Sequence, residues 1–211
     1  MDAYFFIVMA WIKTIPYEEA GRKLKKQYDR VKGPDNNVDN VLMVHSLRPH
    51  TLAGHMALYK NVLHNNNNTL PAWFMEALGV YVSILNNCSY CTEHHFTGMK
   101  KLLNDDRRSA KILDSLEAQK PVEAFNGKEL QAMRYAGKLT SFPGMISQSD
   151  VNQLRDSGFN DGEILEINQV VSYFCYANRT VTGLGVNTKG DILGLSPNDS
   201  NDPDNWSHTS V

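Results

Sequence analysis

The chain has 211 residues, with 21 Lys and Arg against 23 Asp and Glu, which gives a formal charge of −2 at neutral pH. A charge this close to zero gives no electrostatic reason to expect binding to nucleic acid or to an anionic membrane surface. The length and a hydrophobic fraction of 42% suit one soluble domain with a sizeable core.

The two ends of the chain differ from its middle. Residues 1–10 are predicted to be an N-terminal extension, 11–195 a helical domain, and 196–211 a polar tail that is disordered or ordered by a partner. The apolar stretch 3–12 is too short to span a bilayer, and Asp2 stands where a signal peptide would carry a positive charge. Three cysteines fit no paired disulfide framework. We therefore expect a cytoplasmic protein without a membrane segment.

Helix-forming segments separated by short breaks follow one another through the predicted domain. Breaks are indicated by Gly33-Pro34, by Arg48-Pro49, by the polar tract 64–68 and by Gly158. No convincing alternation of apolar and polar residues indicates a strand, so the predicted fold class is all-α. The predicted helices are 17–31, 37–46, 50–63, 71–85, 88–103, 107–118, 128–139, 150–156 and 161–182.

The motif Cys88-Ser89-Tyr90-Cys91 indicates chemistry, because two cysteines at this spacing can form a disulfide with little backbone movement. A thiol reacts as its thiolate, so the groups around the pair decide whether it is reactive. Asn86 and Asn87 interrupt an apolar run, and Asn is a common N-cap residue. If a second helix begins after Asn87, Cys88 lies in its first turn, where the helix dipole favours a thiolate.

Two further residues can complete a site around the cysteines. His95 follows Cys91 by one helical turn on the same face, whereas Tyr90 should point roughly to the opposite side. Glu76 precedes Cys88 by twelve residues, which is about 18 Å along a straight helix. Glu76 can therefore approach the thiols only if the chain turns at the asparagine pair and the two helices pack together. For His94, an indirect role beside the site and a solvated surface position are equally compatible with the sequence.

Other chemistries fit this motif less well. Haem attachment needs a His directly after the second cysteine, where Thr92 stands. Structural zinc usually has a second ligand pair, although Cys88, Cys91 and His95 with a carboxylate could still hold the metal. A thioredoxin-like motif should follow a strand, and here the flanks are helical. The third cysteine, Cys175, lies in an apolar run and is interpreted as a small buried residue. The interpretation that remains is redox chemistry of the two motif cysteines on a helical scaffold.

Glu76, Cys88, Cys91 and His95 together resemble the signature of the AhpD-like alkylhydroperoxidases in the carboxymuconolactone decarboxylase superfamily. The likeness covers about residues 11–188 and looks most like the branch of peroxidase-related proteins. Looser similarities are found at 47–50, 70–71, 163–166, 174, 178–179 and 184–186. The resemblance implies an AhpD-like helical bundle that forms homo-oligomers, from dimers to hexamers.

The resemblance also implies a function, that of a peroxiredoxin-like dithiol peroxidase. Cys91 would attack a hydroperoxide and become a sulfenic acid, and Cys88 would resolve it to a disulfide. His95 and Glu76 would relay the proton. An external dithiol, of thioredoxin-like or lipoyl type, would reduce the disulfide, and no cofactor or metal is implied. The alternative is a non-catalytic redox sensor that uses the same pair as a switch.

Tyr90 departs from the pattern of the better-characterised alkylhydroperoxidases, which carry a relay His before the second cysteine. A phenol titrates near pH ~10, so it can hydrogen-bond but is a poor base at neutrality. Tyr90 is therefore predicted to support the site rather than to move its proton, and His94 is a possible second supporting residue.

The apolar helices give two further hypotheses. Glu166 precedes Asn178 by the same twelve residues that separate Glu76 from Cys88, which suggests a duplicated helical hairpin whose second copy has lost its thiols. Helices 70–86 and 161–182 look too apolar for an isolated monomer, which also favours a homo-oligomer.

Overall fold

The computed structural model describes residues 9–197, 202 and 205–207, so most of the predicted N-terminal extension and polar tail lies outside the described residues. The described chain is helical and has no extended strands, which confirms the predicted fold class. Its nine α-helices are α1 (Arg22–Val31), α2 (Asn40–Met43), α3 (Pro49–Leu63), α4 (Ala72–Leu85), α5 (Ser89–Leu103), α6 (Asp106–Glu117), α7 (Gly127–Ser141), α8 (Gln148–Asp156) and α9 (Asp161–Gly183).

Local sequence accounts for most helix ends. At the start of α9, the Asn160 side chain accepts from the N–H of Glu163, whose carboxylate accepts from the N–H of Asn160. This reciprocal pair is a capping box. The prediction of one helix over 17–31 is wrong: a one-turn 3₁₀ helix at Tyr17–Glu19 is separated from α1 by extended backbone at Ala20 and Gly21. Glycine is a poor helix former, which favours this interruption.

Helix α4 lies at the centre of the core. All ten residues from 74 to 83 are buried, and the helix packs against α5, α6, α7 and α9. A helix that is apolar all round is expected to be buried on every side. The core of a single chain therefore accounts for the apolar character of α4, which was one of the reasons to expect an oligomer. The homo-oligomer stays a prediction.

Helices α4 and α9 approach each other closely at Gly79. A Cβ at this position would lie 2.1 Å from the ring of Phe174, so only glycine leaves room for that ring. The other side of Phe174 meets His95 edge to face, with ring centroids 4.5 Å apart. Because of this packing, the contact between α4 and α9 also positions the imidazole of the predicted site.

The chain after α9 folds back over the N-terminal helices. The N–H of Trp11 donates to the carbonyl of Leu184 at 2.7 Å, and the Asn40 side chain donates to the carbonyls of residues 187 and 189. Further along, Trp206 is buried, with the Arg30 guanidinium 3.6 Å from its ring centroid. The tail thus makes a contact at Trp206, and the disorder of the tail stays a prediction.

Helix α9 continues unbroken through Asn178, whereas the corresponding position of the first segment, Cys88, lies at a break between two helices. The second copy of the proposed duplication therefore lacks the break between two helices, and the duplication stays a hypothesis. Among the helices that the structure describes, none combines the length and apolar character needed to cross a membrane.

Candidate active site

A three-residue reversal joins α4 to α5. Asn87 has a φ of 55°, a left-handed conformation that Asn tolerates better than most residues. The N–H of Cys88 donates to the carbonyl of Ser83 at 2.9 Å, and the N–H of Asn87 to that of Ile84 at 3.0 Å, which is the Schellman ending of a helix. Cys88 is also the N-cap residue of α5. The predicted break is confirmed, but the asparagines end α4 and do not cap α5.

This reversal brings the two motif cysteines together. Their sulfurs lie 2.8 Å apart, and Cys88 and Cys91 are only 3% and 4% exposed. Both thiols are free, and so is Cys175, which is half-buried. The pair therefore shares one hydrogen bond and needs little movement to form a disulfide.

The shared hydrogen bond dominates the acidity of the pair. The hydrogen bond between the two sulfurs lowers the pKa of Cys88 to about 7, and the same bond raises the pKa of Cys91. Burial raises both pKa values. The backbone N–H of Cys91 and the side chains of Thr182 and Asn178 lower the pKa of Cys88 further. The pair therefore loses its first proton more readily than an ordinary thiol does, and the two sulfurs share the proton that remains.

Helix packing brings Glu76 to His95. The Glu76 Oε2 lies 2.7 Å from Nδ1 of His95, and the carboxylate is buried. Because a carboxylate only accepts, Nδ1 carries the proton and Nε2 is the basic nitrogen of the ring. On the other side, His64 Nε2 lies 3.9 Å from Glu76 Oε1. The predicted pairing of α4 with α5 is thus present.

Cys91, His95 and Glu76 line one internal cavity of about 60 Å³. Tyr59 and Tyr173 form part of its wall, and the loop 194–197 borders it. A water molecule needs roughly 10–15 Å³ by this measure, so the cavity has room for a few water-sized molecules. Cys88 is not among the residues that line this cavity.

Cys88 lines a separate outer cleft of about 470 Å³, more open to solvent than the inner cavity. Asn87, Thr92, Glu93 and Glu117 contribute polar groups to this cleft. The two residues are thus in contact through their sulfurs, while Cys91 lines the inner cavity and Cys88 lines the outer cleft.

Tyr90 does not point away from the site, so that prediction is wrong. The residue lines the inner cavity together with Cys91. Its hydroxyl donates to Asp191 Oδ2 at 2.6 Å and accepts from the N–H of Val41 at 3.1 Å. Burial, and then the charges of Asp191 and Asp39, raise the pKa of Tyr90 well above its ordinary value. The side chain is covered by α2 and by the loop after α9, which the motif spacing could not reveal.

His94 is buried, which rules out the solvated surface position. Its ring stacks on Tyr90 with centroids 4.6 Å apart, and its Nε2 lies 3.3 Å from Asp191 Oδ2. The N–H of Asn40 also donates to Asp191, at 3.0 Å. These contacts form a polar network behind the motif, centred on Asp191.

Sequence reasoning missed several residues that contact or surround the site. Asn178 bonds Ser83 and Asn86 and lowers the pKa of both motif cysteines. Its place beside the cysteines follows from the contact of α4 with α9, and the available signals were the apolar run around it and the loose family similarity at 178–179. No local pattern pointed to the others, which are Asp39, His55, Tyr59, His64 and Asp191. Within the described residues no cluster of side chains could hold a metal ion.

No protein-family model matches this sequence, and a comparison with curated proteins found no match. Among solved structures, the chain is similar to an uncharacterized peroxidase-related protein from Silicibacter sp. TM1040, with a TM-score of 0.74 and 21% identity, covering 87% of this chain and 96% of that one. An uncharacterized peroxidase-related protein with an alkylhydroperoxidase AhpD core, from Ralstonia eutropha JMP134, has a TM-score of 0.74 and 17% identity, covering 85% and 92%. The debrominase Bmp8 has a TM-score of 0.63 and 12% identity, covering 87% and 93%.

The chain therefore has the AhpD-like fold. This confirms, at the level of the fold, the resemblance that the motif suggested.

Proposed function

We propose that this protein is a dithiol peroxidase of the AhpD-like, carboxymuconolactone decarboxylase superfamily that reduces small hydroperoxides. The observation that carries the proposal is the inner cavity. It is lined by Cys91, one cysteine of the close pair, and by His95, whose imidazole is oriented by the carboxylate of Glu76. A nucleophile, a base within the same cavity and a group that orients the base are the components of nucleophilic catalysis.

In the first step Cys91 acts as the nucleophile, because it borders the inner cavity. The negative charge of the pair moves to Cys91 when the shared proton passes to Cys88, or when Nε2 of His95 takes the proton of Cys91. The thiolate attacks the terminal oxygen of the hydroperoxide, and the O–O bond breaks. Cys91 becomes a sulfenic acid, and an alcohol or water is released.

In the second step Cys88 resolves the sulfenic acid. Its thiolate attacks the sulfur of Cys91, and the hydroxyl group leaves as water with one proton. The sulfurs lie 2.8 Å apart in the reduced protein, so this condensation requires little rearrangement. The product is a disulfide between Cys88 and Cys91.

The outer cleft suits the reduction of this disulfide. A thiolate of an external dithiol, of thioredoxin-like or lipoyl type, attacks Cys88 from the cleft, and Cys91 leaves as a thiolate. The second thiol of the reductant then releases Cys88. The small inner cavity suits hydrogen peroxide and short alkyl hydroperoxides as oxidants.

The proposal is tested with reduced protein carrying Cys175→Ser, so that only the motif thiols remain. One equivalent of hydroperoxide should be consumed rapidly, with loss of two thiols and of the mass of two hydrogen atoms. With a dithiol reductant present, the same protein should consume many equivalents.

Variants of the two cysteines assign their roles. Cys91→Ser should abolish the rapid phase, and Cys88→Ser should stop at a sulfenic acid that a dimedone-type reagent traps on Cys91. If the thiols of the parent protein oxidise no faster than free cysteine, the peroxidase proposal is rejected.

A redox switch is the second candidate, and the burial of both sulfurs favours it, because burial restricts reductant access. In that case one equivalent of peroxide oxidises the pair and changes the conformation of the chain, but the dithiol supports no sustained turnover. The turnover measurement therefore separates the two functions.

A further inference from the structure

A buried carboxyl group without a described role lies in the same cavity as Cys91. Asp39, the N-cap residue of α2, is 8% exposed and lines the inner cavity. Its Oδ1 has no hydrogen-bond partner within the described chain. An ionised carboxylate is costly to bury when one of its oxygens lacks a hydrogen bond, so this environment favours the protonated acid.

The charged groups around Asp39 act in opposite directions. Burial is the largest effect and raises the pKa of Asp39 to about 7, the nearby Asp191 carboxylate raises it, and His94 lowers it. At neutral pH a large fraction of the molecules therefore carries a proton on Asp39.

The proposed peroxidase reaction needs such a proton. When the O–O bond of an alkyl hydroperoxide breaks, the leaving alkoxide is a poor leaving group unless it is protonated as it departs. The hydroxyl proton of Tyr90 is held by Asp191, and burial lowers the pKa of His55 to about 3, so that His55 is neutral. Burial also raises the pKa of Tyr173 well above its ordinary value. Tyr59, His94, His95 and Asp39 also line the cavity, and of these four Asp39 is the carboxylic acid.

We propose that Asp39 is the acid that protonates the leaving oxygen of the hydroperoxide while Cys91 attacks. This inference rests on the proposed peroxidase function and assigns the two proton transfers of the first step to two different groups. His95, oriented by Glu76, removes the proton of Cys91, and Asp39 supplies a proton at the other end of the substrate.

The step balances as follows in atoms and electrons. The sulfur of the Cys91 thiolate forms a bond to the terminal oxygen, and the electron pair of the O–O bond goes to the second oxygen. That oxygen takes the proton of Asp39 and leaves as an alcohol. Cys91 is oxidised to a sulfenic acid, the peroxide is reduced, and the Asp39 carboxylate regains its proton from solvent or from protonated His95.

The test compares two oxidants whose leaving groups differ in basicity. Reduced wild type and Asp39→Asn are mixed with tert-butyl hydroperoxide, which releases an alkoxide, and with peracetic acid, which releases a carboxylate that needs no proton. We expect Asp39→Asn to slow single-turnover thiol oxidation by about 10²-fold with the alkyl hydroperoxide. With the peracid the rate should stay within about 3-fold, because a weakly basic leaving group gains little from an acid.

Asp114→Asn, the same change on the exposed surface of α6, serves as the matched control and should affect neither rate. An equal loss with both oxidants would show that Asp39 only supports the structure, and no loss with either would assign the proton to another group that lines the cavity. Both results overturn the inference. A wild type that reacts with neither oxidant would instead reject the proposed function.

A measurement on the wild type alone covers the case in which Asp39→Asn does not fold. Transfer of a proton during O–O cleavage predicts a larger solvent deuterium isotope effect with the alkyl hydroperoxide than with the peracid. Equal isotope effects for the two oxidants would contradict the inference.

Discussion

The acidity of the candidate dithiol depends on single residues that lie outside the motif. Asn178 is on α9, ninety positions after Cys88, yet its amide lowers the pKa of both cysteines. The amide is itself held by Ser83 and Asn86, close to the end of α4. The motif thus provides the sulfurs, and a distant helix helps to hold the charge on them.

Replacement of the Asn178 amide tests whether the acidity of the two cysteines depends on it. Asn178→Asp places a carboxylate beside the thiols, and a like charge raises a thiol pKa by about 1 unit or more. In the wild type the ultraviolet absorption of the thiolate should rise with pH through about 7, the value to which the Cys88 pKa is lowered. The fraction of thiolate grows as pH increases, so in the variant this rise should occur at higher pH.

Asn168→Asp on the same helix is the matched control, because the Asn168 amide donates to the hydroxyl of Tyr135 and not to the cysteines. Its titration should match that of the wild type. An unchanged midpoint in Asn178→Asp would contradict a role of the amide in the acidity of the dithiol.

The residues that could be predicted are those with a chemical type and a regular spacing. Glu76 and His95 were identified because one helical turn and a single chain reversal relate them to the cysteines. Asp39 and Asp191 could not be found in this way, since they reach the site through tertiary packing of α2 and of the loop after α9. Sequence spacing carries no information about such contacts.

Among the elements, the reversal between α4 and α5 brings the site together. The sequence indicated the break through two adjacent asparagines, but which of them would take the left-handed conformation depends on the hydrogen bonds that close α4. The apolar composition of α4 was interpreted as a sign of a subunit interface, whereas this helix is buried in the core of its own chain. Its neighbours could not be predicted, because an apolar surface has no directional preference.

The contact between α4 and α9 yields a stability prediction. Gly79→Ala forces the Phe174 ring to move and should destabilise the protein by about 1–3 kcal/mol, as is typical of overpacked cores. The displaced ring should also disturb His95, which it contacts. Thermal unfolding measures the first effect, and the rate of thiol oxidation by peroxide measures the second.

Gly54→Ala is the control for this change, since Gly54 lies in the exposed part of α3 with open space around its Cα. It should stabilise the protein by roughly 0.5–1 kcal/mol through higher helix propensity. Equal stability of Gly79→Ala and wild type would mean that the ring of Phe174 is not constrained by α4.

At the scale of the whole molecule, the fold alone does not define the reaction. Similar folds occur in peroxidase-related proteins and in the debrominase Bmp8. One architecture can support different chemistries, so the function has to be argued from the site. The specificity of the four-residue motif explains why the fold was predictable from sequence at identities of 17–21% to the peroxidase-related structures.

The expected homo-oligomer is a prediction at this scale. It rests on the resemblance to the AhpD-like family, since the core of one chain already accounts for the burial of α4. Light scattering coupled to size-exclusion chromatography should give a mass between that of a dimer and that of a hexamer. A monomeric mass at micromolar concentration would contradict it.

Cys91 and Cys88 line two separate openings, which has a kinetic consequence if each cysteine reacts from its own side. If peroxide meets Cys91 from inside and the reductant meets Cys88 from outside, the two substrates do not compete for one entrance. Excess reductant should then leave the oxidative half-reaction unhindered, giving parallel double-reciprocal plots without substrate inhibition. In that case the opening that admits the oxidant does not limit the size of the reductant. A whole protein can then reduce an enzyme whose oxidant has only a few atoms.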